Sequence, residues 1–162
     1  MSKDKTPVTP AIRVLRNEKA VYTEHPYQYV DRGGTAAFAK QYGVDEHAVI
    51  KTLIMEDDEK RPMIVLMHGD REVSTKELAR IIRAKRVQPC IPETAQKHSG
   101  YMVGGTSPFG TRKTMPVYME ETVLNLPKIY INGGRRGYLI GIDPKEIVRV
   151  LKPVLVSVGV LN

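Results

Sequence analysis

The chain has 162 residues, of which 41% are hydrophobic and 27% charged, enough apolar mass for one domain with a sizeable core. Its single cysteine, Cys90, excludes an intrachain disulfide, and no apolar run approaches the roughly 18 residues that a membrane helix needs. With 25 Lys and Arg against 18 Asp and Glu the net charge is +7, which suits either a solubilising surface or a polyanionic partner.

The first residues, Met1 to Pro10, are polar and lack the apolar stretch of a signal peptide. The expectation is a cytoplasmic protein forming one domain over 1–162, disordered over about residues 1–8. A helix should start near Thr9-Pro10, with proline at its first position and Ile12 and Leu15 on one face. Val21 to Tyr29 reads as extended, interrupted at Pro26, and Gly33-Gly34 opens a helix from Thr35 to about Tyr42, stopped by Gly43. Val49–Met55 and Met63–Met67 are β-rich, and the acidic run Glu56–Glu59 between them predicts a hairpin with a solvated tip. Ser74 and Glu77 form a capping box for a helix to about Arg83, with Leu78, Ile81 and Ile82 as its apolar face. Pro92 begins a further helix that ends by Gly100, and a glycine-rich loop follows to Gly110. Met115–Met119, Ile129–Ile131 and Tyr138–Ile142 read as strands, the last two separated by a turn at Gly133–Gly137. Asp143, Pro144 and Glu146 cap a helix to about Leu151, and Val154–Val158 reads as a final strand. There is no regular βαβ rhythm. The expected fold is α+β, a single domain with a central mixed, largely antiparallel sheet flanked by helices.

The four histidines, His25, His47, His68 and His98, do not sit at zinc-motif spacing with each other or with Cys90, and neither a P-loop nor a dinucleotide fingerprint is present. No metal or cofactor is expected. Cys90 lies between two prolines in an extended segment, where a small buried hydrophobe is the plainer identity than a nucleophile. In Gly104-Gly105-Thr106-Ser107-Pro108, exposed N–H groups suit a carbonyl oxygen or an oxyanion, though an ordinary connecting loop fits the spacing equally. Gly133-Gly134-Arg135-Arg136-Gly137 is either a tight turn or a presenter of two cations to phosphate. Lys51 interrupts the apolar run Val49–Met55 and shares a strand face with Val49 and Leu53. It either snorkels at a sheet edge or points into a cavity as a donor.

Three co-linear segments resemble the YbaK/EbsC family: Ile50-Lys51-Thr52-Leu53, Gly100 to Gly110, and Ile129 to Gly137. Thr9-Pro10-Ala11 and the helix at Ser74 also fit, so the resemblance spans nearly the whole chain. The family's best-known members are Cys-tRNA(Pro) deacylases, related to the editing domain inserted in bacterial prolyl-tRNA synthetases. The resemblance implies an α+β fold and hydrolysis, without metal or cofactor, of the aminoacyl ester on the terminal adenosine of tRNA. It implies that Lys51 is the essential, substrate-positioning side chain. It places Thr52, the loop Gly104, Gly105, Thr106, Ser107 and Pro108, and Asn132, Gly133 and Gly134 at the substrate. In the cysteine-specific members, attack by the substrate's own thiol would leave a thiolactone and need no protein nucleophile. Arg135, Arg136, Arg80 and Arg83 are the expected phosphate contacts. The partners implied are charged tRNA and, transiently, prolyl-tRNA synthetase.

The chain departs from the family at Asn132, where serine is frequent, and at Leu139, where the cysteine deacylases often carry a small or acidic polar residue. The region Arg32 to Phe38 also differs. All three flank the family's pocket and bear on the choice of amino acid. The expected function is therefore trans-editing of Cys-tRNA(Pro). The alternatives are the same reaction on another small amino acid such as alanine, or a tRNA- or synthetase-binding module without turnover.

Overall fold

The computed structural model describes residues 7–161. The expected disordered stretch therefore lies outside the described residues, apart from Pro7 and Val8. Helix α1 (Pro10–Asn17) starts as its sequence dictates. Thr9 Oγ1 accepts from Ile12 N at 3.1 Å, matching an amide that the first turn cannot, and Pro10 presets the helical φ. Asp143 does the same for α5 (Pro144–Leu151), accepting from Lys145 N at 2.9 Å. Helices α2 (Gly34–Tyr42) and α4 (Pro92–Ser99) end at Gly43 and Gly100.

At α3 (Thr75–Ile82) only half of the capping box forms. Ser74 Oγ accepts from Glu77 N at 3.2 Å, but the Glu77 carboxylate pairs with Arg80 and the Ser74 amide donates to Val158 O. The apolar face of α3 is also rotated from expectation, because Ala79 is buried beside Leu78 whereas Ile81 is 38% exposed.

The strands are β1 (Tyr22–Pro26), β2 (Val49–Asp57), β3 (Pro62–His68), β4 (Arg71–Val73), β5 (Val87–Pro89), β6 (Val117–Glu120), β7 (Ile129–Arg135), β8 (Tyr138–Ile142), β9 (Val154–Val156) and β10 (Gly159–Leu161). Eight form one sheet in the order β1-β8-β7-β2-β3-β6-β9, with β5 added to the far end of β2, while β4 and β10 form a small separate sheet. The main sheet is mixed, with four antiparallel pairings and three parallel ones.

Three sequence boundaries move. Strand β2 runs on through Glu56 and Asp57, which are buried at 7% and 6% exposure, so the solvated hairpin tip shrinks to Asp58–Lys60. Buried carboxylates need partners. Asp57 accepts from the amides of Glu59 and Arg61 and from Arg61 Nε, and Glu56 accepts from Gln88 Nε2. Strand β7 continues through Gly133 and Gly134 to Arg135 with an irregular register against β8, which leaves only Arg136-Gly137 as the turn. The expected final strand Val154–Val158 ends at Val156 as β9, and a further strand, β10, follows it in the small sheet.

Both faces of the sheet are covered. Ala11, Ile12 and Leu15 of α1, Ala95 of α4 and Ile147 of α5 pack on Ile50, Ile54, Ile64 and Leu66 of β2 and β3. Each fully buried aliphatic side chain contributes about 1.5–3 kcal/mol of transfer free energy. On the opposite face two smaller clusters form. One joins Met55, Met63, Val65 and Met67 to Leu78 and Ala79 of α3, and the other joins Val49 to Phe38 and Ala39 of α2 and Leu139 of β8.

Candidate functional site

Strand β2 has one continuous neighbour and one interrupted one. Antiparallel β3 pairs with it from Ile50 to Glu56. On its other edge, β7 pairs only at Val49–Ile50 and β5 only at Met55–Asp57. Lys51 to Ile54 therefore border a window in the sheet. Backbone groups alternate sides along a strand. Ile54 O turns to the window side, where it accepts from Cys90 N at 3.0 Å, so Thr52 two residues earlier turns its N–H and C=O into the window.

A cavity of about 470 Å³ opens at this window, a size suited to a small-molecule moiety. Lys51 is among its lining residues. Its Nζ donates to Arg71 O at 2.5 Å and lies 3.8 Å from Glu72 Oε2. The Lys51 side chain is 20% exposed, so the ammonium is pinned yet reachable. Thr52 Oγ1 is buried and is the one side-chain polar atom among the described residues recorded as buried without a hydrogen-bond partner.

The opposite wall is the loop after α4. Asn132 Nδ2 donates to Gly104 O at 3.2 Å, while its Oδ1 accepts from Gly134 N at 2.6 Å and Arg135 N at 3.0 Å. Arg136 Nε donates to Val103 O at 2.9 Å, and its guanidinium lies 5.0 Å from the Tyr29 ring centre. The β7–β8 turn thus clasps the loop. Glycine is required at the crossing: Gly104 has φ +92°, and a Cβ on Gly105 would stand 2.7 Å from Arg136 N. A third wall is aromatic, made by Tyr27, Tyr29 and Phe38 with Leu139.

The expected site residues divide by position. Thr52, Gly104, Thr106 and Asn132 line the cavity with Lys51. Gly105, Ser107, Pro108, Gly133 and Gly134 stand behind the lining. Ser107 is fully buried and accepts from Phe109 N at 3.1 Å, and Gly133 O accepts from Thr9 Oγ1 at 2.6 Å, which ties α1 to β7. Arg80, Arg83, Arg135 and Arg136 are exposed outside the cavity. The region Arg32 to Phe38 reaches it through Gly34, Thr35 and Phe38.

Sequence reasoning missed Tyr27, Tyr29, Glu72 and Thr75 as lining groups. Tyr27 and Tyr29 share an alternating face, the one signal that was available. Cys90 lines the cavity as well, so it is more than a core hydrophobe. Its Sγ lies 3.6 Å from Glu56 Oε1, and burial together with that carboxylate pushes its pKa from 9.0 to about 11. A thiol held protonated is a poor nucleophile. None of the four histidines lines the cavity.

Against known proteins, the family model of the aminoacyl-tRNA editing domain matches residues 32–150. A protein of Enterococcus faecalis, EbsC, provisionally named a Cys-tRNA(Pro)/Cys-tRNA(Cys) deacylase, is 28% identical over 150 residues, covering 91% of this chain and 92% of its own. The proline–tRNA ligase of Caldicellulosiruptor bescii is 30% identical over 98 residues, which cover 60% of this chain but only 17% of that enzyme. A crystal structure provisionally described as a trans-editing enzyme for prolyl-tRNA synthetase superposes with a TM-score of 0.80 at 19% identity, covering 94% of this chain and 98% of the other. The family model spans most of the chain and the architecture is that of its solved neighbours, so the chain belongs to the aminoacyl-tRNA editing domain family.

Proposed function

We propose that this protein is a trans-acting deacylase that hydrolyses the ester between a mischarged amino acid and the 3′-terminal adenosine of tRNA, with Cys-tRNA(Pro) as its preferred substrate. The observation that carries the reading is Lys51, among the described residues the one cationic side chain lining a largely apolar cavity, pinned on Arg71 O and paired with Glu72, in a lining shared with the loop clasped by Asn132. An ester is already activated. A positioned donor and a fixed substrate supply much of what its cleavage needs. Lys51 donates to the ester oxygens as negative charge develops on them, and the Thr52 amide at the window is a second donor within the same wall. Thr52, Gly104, Thr106 and Asn132 hold the aminoacyl end, with Gly105, Ser107, Pro108, Gly133 and Gly134 fixing the shape behind them. The aromatic wall receives the adenosine.

As the resemblance to the cysteine-specific members implies, the substrate's own thiol is the attacking group, and water opens the thiolactone afterwards to complete the hydrolysis. A C–S bond forms to the carbonyl carbon, the C–O bond to the ribose breaks, and the thiol proton passes to the departing 3′-oxygen, leaving a thiolactone. The exposed cations Arg80, Arg83, Arg135 and Arg136 add to the positive field that draws tRNA to the protein. The likeness to a segment of proline–tRNA ligases supports a transient partnership with prolyl-tRNA synthetase in the cytoplasm. Editing is needed there because an apolar pocket separates near-isosteres by only about 10- to 200-fold.

The test is single-turnover deacylation of a panel of charged tRNAs. Cys-tRNA(Pro) should be cleaved fastest and release a thiolactone. Fastest cleavage of Ala-tRNA would move the preference to alanine, and an intact panel would leave a binding module and overturn the reading.

A further inference from the structure

The segment from Thr75 to Arg86 carries Lys76, Arg80, Arg83, Lys85 and Arg86 against one acidic residue, Glu77. That is a fifth of the chain's 25 Lys and Arg in twelve residues, so the modest net charge of +7 is concentrated here. The structure folds the segment into a groove between α3 and the start of β5. Lys76, Arg80, Lys85 and Arg86 line the groove around Ala79 and Ala84. All five cations are exposed. Glu77 pairs with Arg80, and Asp58 accepts from the Lys85 amide, so two carboxylates temper the groove. Among the described residues, Lys76, Arg83, Lys85 and Arg86 form no ion pair.

The groove adjoins the Lys51 cavity at one residue. Thr75, the first residue of α3, lines both. A chain whose terminal nucleoside sits in the cavity therefore has a path over Thr75 onto a cationic floor. Eight helical residues span about 12 Å, enough to run beside the phosphates that precede a terminal adenosine. The loop side of the cavity offers less. Arg136 is bonded to Val103 O and lies over Tyr29, and Arg135 is left as the single cation of that turn without such a contact.

We infer that the groove between α3 and β5 is the track for the single-stranded 3′ end of tRNA, with Lys76, Lys85 and Arg86 holding its backbone phosphates. This rests on the deacylase reading for the identity of the strand and assigns the face on which it docks. Recognition is of phosphate and hence independent of base sequence. The contacts lie outside the cavity and leave the chemistry at Lys51 untouched.

The experiment compares wild type with the triple variant Lys76→Ala, Lys85→Ala and Arg86→Ala, and with Arg135→Ala. Each is titrated with uncharged tRNA at several salt concentrations and assayed on cysteinyl-tRNA and on 3′-O-cysteinyl-adenosine, which has no phosphate. Single-strand contacts contribute about 0.7 to the log–log salt slope for each phosphate neutralised. The triple variant should therefore lose about 2 from the slope and roughly tenfold or more in tRNA affinity at low salt, with kcat/KM on cysteinyl-tRNA falling in parallel. Its kcat/KM on cysteinyl-adenosine should match wild type. Arg135→Ala should change the slope by less than the roughly 0.7 that the triple variant loses per residue. An unchanged slope in the triple variant, a larger loss in Arg135→Ala, or an equal loss on both substrates in a folded protein would overturn the docking face. If wild type cleaves neither substrate the deacylase reading falls, while the salt titration still decides the groove.

Discussion

Two walls of the same cavity are built by different means. Lys51 rides on a strand paired with β3 from Ile50 to Glu56, and its ammonium is anchored on the backbone carbonyl of Arg71. Across the cavity, the segment around Gly104 belongs to no helix or strand, and side chains of Asn132 and Arg136 hold it from more than twenty residues away. The strand wall inherits its precision from a ladder of backbone hydrogen bonds that no single side chain controls. The loop wall depends on a few side chains, each of which one substitution removes. Changes to the strand wall should therefore appear in chemistry with the fold intact, and changes to the loop wall in substrate binding and stability together.

The largest expected effect belongs to Lys51. A charged donor is worth about 1.5–3 kcal/mol, so Lys51→Ala should slow single-turnover deacylation by roughly one to two decades. Thermal unfolding should barely move. Lys51→Arg should recover only part of the rate, because a planar guanidinium places its donors differently. A normal rate in the alanine variant would break the contrast at its strongest point.

Next is Asn132→Ala, which removes three hydrogen bonds at once. Asn132 is only half-buried, so the expected cost is about 1–3 kcal/mol of stability, with a severalfold rise in KM and a smaller fall in kcat. A fall in kcat alone, with normal melting, would show that this wall acts on the chemistry as the strand wall does.

Acid should loosen the strand wall first. His68, opposite Ile50 in the β2–β3 ladder, is 1% exposed and its ring stacks 3.6 Å from His47. Its Nδ1 meets His47 O and its Nε2 meets Thr122 Oγ1, each at 2.7 Å. Asp70 and Glu120 also face it, yet burial, with His47 beside it, holds its pKa below the usual 6.5. The native state thus binds this proton less readily than the unfolded chain. The associated stability is complete above about pH 6.5 and is lost as pH falls through the native value. Denaturant titrations between pH 7.5 and 5 should show the decline, and His68→Gln should make it shallower, His25 and His98 keeping the remainder because their pKa values are also lowered.

The smallest effect is expected at Cys90. Cys90→Ala should keep most of the activity, since its thiol stays protonated at neutral pH. The raised pKa of about 11 adds stability below pH 9 that is lost between pH 9 and 11. Slow reaction of native protein with iodoacetamide at pH 8, and fast reaction once unfolded, would check this.

Much of the frame was legible in the sequence because its signals are local. Thr9-Pro10, Ser74 and Asp143-Pro144 mark helix starts through contacts within a turn, and the apolar run around Lys51 marks β2 with one polar interruption. The strands that escaped, β4, β5 and β10, have three residues each, too few to express a period. The continuation of β7 through two glycines looks like a turn until β8 pairs with it. The candidate site shows the same divide. Lys51 stands out by its neighbours, and the motif resemblance located the glycine loop. Tyr27 and Tyr29 reach the cavity through the β1–β8–β7–β2 pairings, the last of which joins segments some eighty residues apart, and Glu72 and Thr75 reach it where the chain turns back after β3. No local pattern encodes that meeting.

The window in the sheet has a consequence for solvent exchange. Lys51 and Leu53 direct their amides to β3, whereas the Thr52 amide faces the gap between β7 and β5. In deuterium oxide the Thr52 amide should therefore exchange at a rate typical of loops while both of its neighbours are protected to the limit set by global unfolding. An occupant that accepts a bond from that amide would slow its exchange selectively, so one backbone proton in the middle of the sheet reports whether the cavity is filled.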